Sequence, residues 1–191
     1  MPRKRVRCWW ANGDDPLYAA YHDEEWGVPL HDDRKLFEML LLEGFQAGLS
    51  WITILRKREN FRKAFREFDP EVIVRFKQRD LERLMQDAGI VRNRLKIEGS
   101  VLNSRAFLEA QKESCSFDSF IWQFTDGKTL RNPGGLTRAQ IPTKTPESDR
   151  MSKELVQRGF KFVGSTICYA FMQAVGMVDD HVEGCWKYKR R

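Results

Sequence analysis

The stretch from Gly159 to Cys185 constrains the fold more than any other part of the chain. It reads Gly159-Phe160-Lys161-Phe162-Val163-Gly164, then an apolar run from Ser165 to Val178, then Asp179-Asp180-His181-Val182-Glu183-Gly184-Cys185. A glycine at each end of the first segment suits a short hairpin with tight turns and close approach to a ligand. In the run that follows, Ile167, Phe171, Ala174 and Val175 recur at helical spacing, and Ser165 or Thr166 is placed to cap the helix. A carboxylate pair and a His-x-x-x-Cys pair close the stretch, and the latter two share a face if the chain there is helical. Each feature also has a plainer account: glycines end helices, paired aspartates are solvated, and a single His or Cys packs.

At 191 residues the chain makes one domain or two small lobes sharing a core, and 41% apolar content with thirteen Phe allows that core to be sizeable. No apolar run reaches membrane-spanning length, and Met1-Pro2-Arg3-Lys4-Arg5-Val6-Arg7 lacks the apolar segment of a signal peptide. A soluble, cytoplasmic protein with no membrane partner is expected. Net charge is +6, with basic residues at both ends: Arg3, Lys4, Arg5, Arg7, Lys187, Lys189, Arg190 and Arg191. Such ends suit DNA or RNA, although solvated tails account for those residues taken alone. Four cysteines without regular spacing do not make a disulfide framework, and two with histidine companions point to a metal.

Helical patterns cover most of the chain. Asp14-Asp15-Pro16 starts one over Leu17–Trp26, with Asp15 as its cap, and Tyr18, His22 and Trp26 share a face beside Tyr21. The next begins near Asp32 or Asp33 and places Leu36, Met39, Leu40 and Glu43 together, with Glu38 opposite and solvated. Glu43 thus projects a carboxylate from an apolar face, which is costly without a partner. It is either a site residue or a structural partner for a backbone N–H or an Arg. Gly44 and Gly48 are expected to break this helix and leave Gln46 and Leu49 on an inter-helix loop. Ser50 caps a basic amphipathic helix over Ile52–Phe68. Further helices follow from Asp69-Pro70 and over Arg79–Asp87, then a long one to about Lys112 that Ile90–Lys96 leads into, and one over Ser116–Phe124 with Trp122 in the core. Asp126–Thr145 is the best loop or lid, and Ser148 caps Asp149–Arg158. No strand alternates convincingly, so the fold class is all-α.

Several segments carry a family likeness: Asp15-Pro-Leu-Tyr18, Tyr21-His-Asp23, Glu25-Trp-Gly-Val-Pro29, Glu43-Gly44, Gln46-Ala-Gly-Leu-Ser-Trp51, Asp87-Ala-Gly-Ile90, Arg158-Gly-Phe-Lys-Phe-Val-Gly164 and Asp180-His181. From Cys8 to about Cys185 the chain resembles the 3-methyladenine DNA glycosylase I family of helix-hairpin-helix glycosylases. The resemblance implies a basic tail over 1–7 and one glycosylase domain over 8–187. Within that domain it implies a helix-hairpin-helix core at about 33–176 and zinc-clasped terminal segments at 8–30 and 177–187. Cys8, His22, His181 and Cys185 match the family's zinc ligands. A closed N₂S₂ set leaves no open position, so this zinc is structural. His31 is left over and assigned to the surface.

Glu43, Tyr18, Tyr21, Trp26 and Trp51 match the family's base pocket, with Glu43 the catalytic residue and Trp51 the first choice for stacking. Methylation at N3 makes adenine cationic and weakens its bond to the sugar. Aromatic rings and a carboxylate suit such a base once it is flipped from the duplex. Gln46, Gly48 and Leu49 lie where related enzymes present a wedge beside the flipped nucleotide. Gly159, Lys161 and Gly164 belong to a hairpin that offers N–H groups and charge to a phosphate. The loop Gly89–Arg94 is a second candidate for DNA contact. Asp179 stands where many helix-hairpin-helix glycosylases carry a catalytic aspartate. It is catalytic, a cap near the zinc ligand, or incidental, and the non-catalytic reading is favoured. No lysine stands in the position used by glycosylase/lyases. The resemblance therefore implies a monomeric, monofunctional hydrolase that releases 3-methyladenine from double-stranded DNA and leaves an abasic site. A zinc-stabilised DNA-binding module without catalysis is the main alternative. A glycosylase for oxidised or mismatched bases and a catalytic zinc hydrolase come after it.

Overall fold

The computed structural model describes residues 5–11, 13, 15–131 and 136–188. Arg3, Lys4, Asp14, Lys189, Arg190, Arg191 and part of the expected lid, 132–135, lie outside these. In chain order the helices are α1 (Pro16–Glu24), α2 (Asp33–Gln46), α3 (Trp51–Ala64), α4 (Pro70–Ile73), α5 (Gln78–Gln86), α6 (Arg94–Ser114), α7 (Phe117–Trp122), α8 (Pro146–Gln157) and α9 (Ser165–Ala174). Short 3-10 turns lie at Trp9–Ala11, Gln123–Thr125 and Arg138–Gln140. The all-α expectation holds, apart from a parallel pair of two-residue strands, β1 (Leu130–Arg131) and β2 (Val178–Asp179). No helix among the described residues is long and apolar enough to cross a membrane.

Side-chain caps explain most helix starts. Asp15 accepts from the Leu17 and Tyr18 N–H groups, Asp32 from Lys35, Asn93 from Lys96 and Ser116 from Ser119. Three starts differ from expectation. Ser50 holds the cap position of α3, but its hydroxyl pairs with that of Thr53 and caps no N–H. Thr145 caps α8, and Ser148 sits three residues on, accepting from the Thr145 N–H in a capping box. Gly164 occupies the cap position of α9 with no side-chain bond, so neither Ser165 nor Thr166 caps it.

α2 is the central element. It packs against α3, α6, α7 and α9, and every residue from Leu36 to Phe45 is buried. Gly44 therefore does not break the helix. A Cβ there would meet Phe162 Cβ at 3.3 Å and its carbonyl O at 3.4 Å, so this glycine lets the 159–164 turn press onto α2. Gln46 is likewise the last helical residue rather than a loop residue.

Burial on all sides also overturns the solvated assignment of Glu38, which is 6% exposed. Its carboxylate accepts from Arg58 Nε at 2.5 Å and Arg62 Nη2 at 2.9 Å, and Arg58 reaches on to Glu25 at 2.6 Å. Removing Glu38 leaves the buried side of Arg58 without its carboxylate, Glu25 remaining only at the more exposed end. Glu38→Ala is expected to cost about 3 kcal/mol of stability. For a chain of this size that is a fall of about 10 °C in melting temperature. Thermal unfolding followed by circular dichroism checks this, and an unchanged melt would show the cluster contributes nothing. Trp122 is buried as expected, and His31 lies at the surface paired to Asp118 at 2.8 Å.

Candidate active site

The two acids of α2 meet opposite treatment. Glu38 is filled by guanidinium groups. Glu43, in the last turns of the helix and 4% exposed, has an Oε2 with no hydrogen-bond partner among the described residues. Burial pushes its carboxyl up from an ordinary 4.5 to about 8. The buried Trp51 Nε1 is also without a partner among the described residues. Each such atom costs stability until something pairs with it, so an acid and an N–H donor are held open in the same place.

That place is a cavity of about 210 Å³. Tyr18 and Tyr21 enter it from α1, Trp26 from just beyond α1, Trp51 from the first position of α3 and Gln46 from the end of α2. The structure thus brings Glu43, the four expected base-binding aromatics and Gln46 together. Tyr21 and Trp51 have ring centroids 5.4 Å apart at 47°. The Tyr21 and Tyr18 phenols are raised above their ordinary range by burial and then by the Glu43 charge, so both stay neutral donors.

Sequence reasoning missed part of the lining. Trp10 stands 4.9 Å from Tyr18 and 5.1 Å from Trp26, ring centroid to centroid, and Trp9, Ile141, Ala170 and Gln173 complete the wall. The Trp9-Trp10 pair beside Cys8, and a lone glutamine within the apolar α9, were the available signals. A larger groove of about 460 Å³ borders α1, α2 and α3, but its Glu25, Arg58, Glu59 and Arg62 pair with one another.

Behind the aromatic wall lie Cys8, His22 and Cys185, all buried, with ligand atoms within 4.8 Å of one another. His181 adjoins them, its ring centroid 5.1 Å from that of His22, and its buried Nε2 has no partner among the described residues. His22 Nδ1 bonds Asp23 at 2.9 Å and His181 Nδ1 bonds Asp179 at 2.7 Å. Each carboxylate leaves the Nε2 of its histidine as the inward-facing atom, the arrangement that orients imidazole ligands around a metal. A hydrogen bond between the two sulfurs holds Cys185 below the ordinary thiol range and Cys8 above it. Two thiols and an imidazole nitrogen this close make a donor set of the kind a soft cation takes, with the His181 imidazole beside them. Asp179 also pairs with Arg131 at 3.3 Å and does not line the cavity.

The remaining expected residues lie on two exposed turns. Gly48 takes φ +85 in the short link between α2 and α3, a conformation that favours glycine, and Leu49 beside it is 42% exposed. Between α8 and α9, Gly159, Lys161 and Gly164 are exposed. Gly164 has an ordinary φ of −64, and Phe162 rather than a second glycine takes the left-handed turn at φ 57.

The sequence model of the family described as methyladenine glycosylase matches residues 9–188. DNA-3-methyladenine glycosylase 1 of Escherichia coli (strain K12) is 53% identical over 182 residues, which are 95% of this chain and 96% of that protein. A crystal structure of 3-methyladenine DNA glycosylase I superposes with a TM-score of 0.92 at 53% identity, covering 96% of this chain and 100% of that one. The Staphylococcus aureus 3-methyladenine DNA glycosylase I, solved for its recognition of 3-methyladenine, superposes with a TM-score of 0.89 at 36% identity, covering 94% of this chain and 96% of that one.

Proposed function

Because the chain belongs to the methyladenine glycosylase family, we infer that it excises 3-methyladenine from alkylated DNA by hydrolysis, in base excision repair. It is a DNA glycosylase that cleaves the bond from base to sugar and leaves an abasic site. N3 methylation puts a positive charge on the base. As the bond from C1′ to N9 breaks, its electron pair neutralises that charge, water adds its oxygen to C1′, and a proton is released. The leaving group is already activated, so the pocket needs no strong general acid and acts through selection and electrostatics.

The single observation that carries this reading is Glu43 Oε2, buried and unpartnered at an aromatic-walled cavity. A cationic base satisfies it by donating from its exocyclic amine and supplying the missing counter-charge. Trp51, Tyr21, Tyr18 and Trp26 give faces and edges to that ring. A module that only binds DNA has no use for a carboxylate held open in this way. Leu49 and Gln46 enter the space beside the flipped nucleotide, Gly48 permitting the turn, and the Gly159–Gly164 hairpin with Lys161 meets a phosphate at the start of α9, which no side chain caps. The helix-hairpin-helix assignment, its core at about 33–176, monomeric action on double-stranded DNA and a cytoplasmic location belong to the same reading.

A zinc ion held by Cys8, His22, His181 and Cys185 fits the donor set; with four protein ligands it supplies a structural cross-link and no chemistry to the substrate. Asp23 and Asp179 orient its histidines, which supports a non-catalytic Asp179.

The test is base release from DNA treated with a methylating agent, with the freed bases separated. Release of 3-methyladenine with little 7-methylguanine is expected. DNA binding without release of any base would favour the non-catalytic zinc-clasped module instead.

A further inference from the structure

α6 touches both turns that the proposed function assigns to DNA. Lys96 is 8% exposed, and its Nζ donates to the carbonyls of Phe45 at 2.9 Å and Ala47 at 2.7 Å. These carbonyls end α2, where the helix offers them no N–H partner, and an ammonium suits that end of the dipole. Gly48 and Leu49 follow directly. Asn103 lies two turns further along the same face of α6, about 10 Å away. Its side chain accepts from the Lys161 N–H at 2.7 Å and donates to the Lys161 carbonyl at 3.1 Å, gripping the hairpin by its backbone. Between them, Gly99 lets Phe162 approach, since a Cβ there would stand 3.0 Å from that ring.

We propose that α6 is the spacer that sets the distance between the turn entering the duplex and the hairpin holding its backbone, with Lys96 the positioning residue for base flipping. Lys96 touches no part of the base cavity, so it acts through Ala47 and the turn that follows. A wedge misplaced relative to the backbone grip fails to open a paired duplex. It has no work to do on a strand whose bases are already unpaired. The inference rests on the glycosylase reading above.

The experiment compares one 3-methyladenine-containing oligonucleotide as duplex and as single strand, using the full chain and single-turnover rates. Binding of free 3-methyladenine is followed by tryptophan fluorescence. For Lys96→Met, the duplex rate is expected to fall between about tenfold and about a hundredfold, the size of effect a misplacement of about 1 Å produces. Release from the single strand and binding of the free base should change less than about twofold. Lys96→Arg, which keeps donors within reach of both carbonyls, should recover most of the duplex rate and serves as the folded comparison. Equal losses on duplex and single strand, or no loss on either, would overturn the positioning role, as would a Lys96→Arg protein no better than Lys96→Met. A wild-type protein that releases 3-methyladenine from neither substrate would sink the glycosylase reading itself.

Discussion

Glu43→Gln is expected to lower kcat/KM for 3-methyladenine release by about a hundredfold or more, the usual scale for deleting one preorganised electrostatic contact. The substitution keeps size and an accepting oxygen, and it removes the charge. Glu43 Oε2 has no partner among the described residues, so no internal ion pair is broken and the fold should persist. Stability gives an independent reading. Burial raises the folded-state pKa of Glu43 from 4.5 to about 8, so the folded protein holds this proton more tightly than the unfolded chain does. Linkage then makes Glu43 destabilising as pH rises from about 4.5 through about 8. Relative to Glu43→Gln, the wild type should lose stability across that window, and the two should run parallel below it. Chemical unfolding at pH 4, 6 and 8 measures the difference. A cationic base reverses the preference by favouring the carboxylate, so its binding near pH 7 should release a proton, which calorimetry in buffers of different ionisation enthalpy detects. Activity retained by Glu43→Gln would remove this residue from the chemistry.

The second large effect is expected on breaking the proposed metal clasp. Cys8 and Cys185 stand near opposite ends of the chain, so a shared ion closes a loop of nearly the whole sequence. The same site backs the base cavity. Trp26 packs on His181 with centroids 4.7 Å apart, and Trp10 packs on His22 at 5.2 Å. Gly27 lies so close that a Cβ would come within 2.8 Å of His181 Cε1. Cys185→Ser is expected to abolish zinc retention, measured by elemental analysis against one zinc per wild-type chain, and to lower the melting temperature by about 10 °C or more. Binding of free 3-methyladenine should weaken in step, because Trp10 and Trp26 lose their backing. Purified wild type without metal, together with a melt unmoved by a strong chelator, would remove zinc from the account.

Much of the site was legible in one dimension because its signals are local. A cap before a proline, a carboxylate on an apolar helical stripe and a His-x-x-x-Cys pair all lie within a few residues. Resemblance then joined Cys8 and His22 to His181 and Cys185, which spacing alone could not. Trp10 was overlooked because a tryptophan near the N-terminus, in a turn without periodicity, has no partner nearby to mark its role. Lys96 and Asn103 belong to a long helix in which nothing local sets them apart from their neighbours.

Most helix starts, most of the apolar core and the chemistry-bearing groups could be read from the chain alone, since capping and apolar periodicity act over one or two turns. How the two acids of α2 differ depends on contacts made across the fold. Glu38 meets Arg58 from 20 residues away, Lys96 meets Phe45 from 51 away, and Glu43 Oε2 has no hydrogen-bond partner among the described residues. Helical periodicity assigns a residue to a face, but what covers that face depends on which helices pack there. α2 is enclosed on every side, so packing alone made one carboxylate structural and left the other open to a ligand.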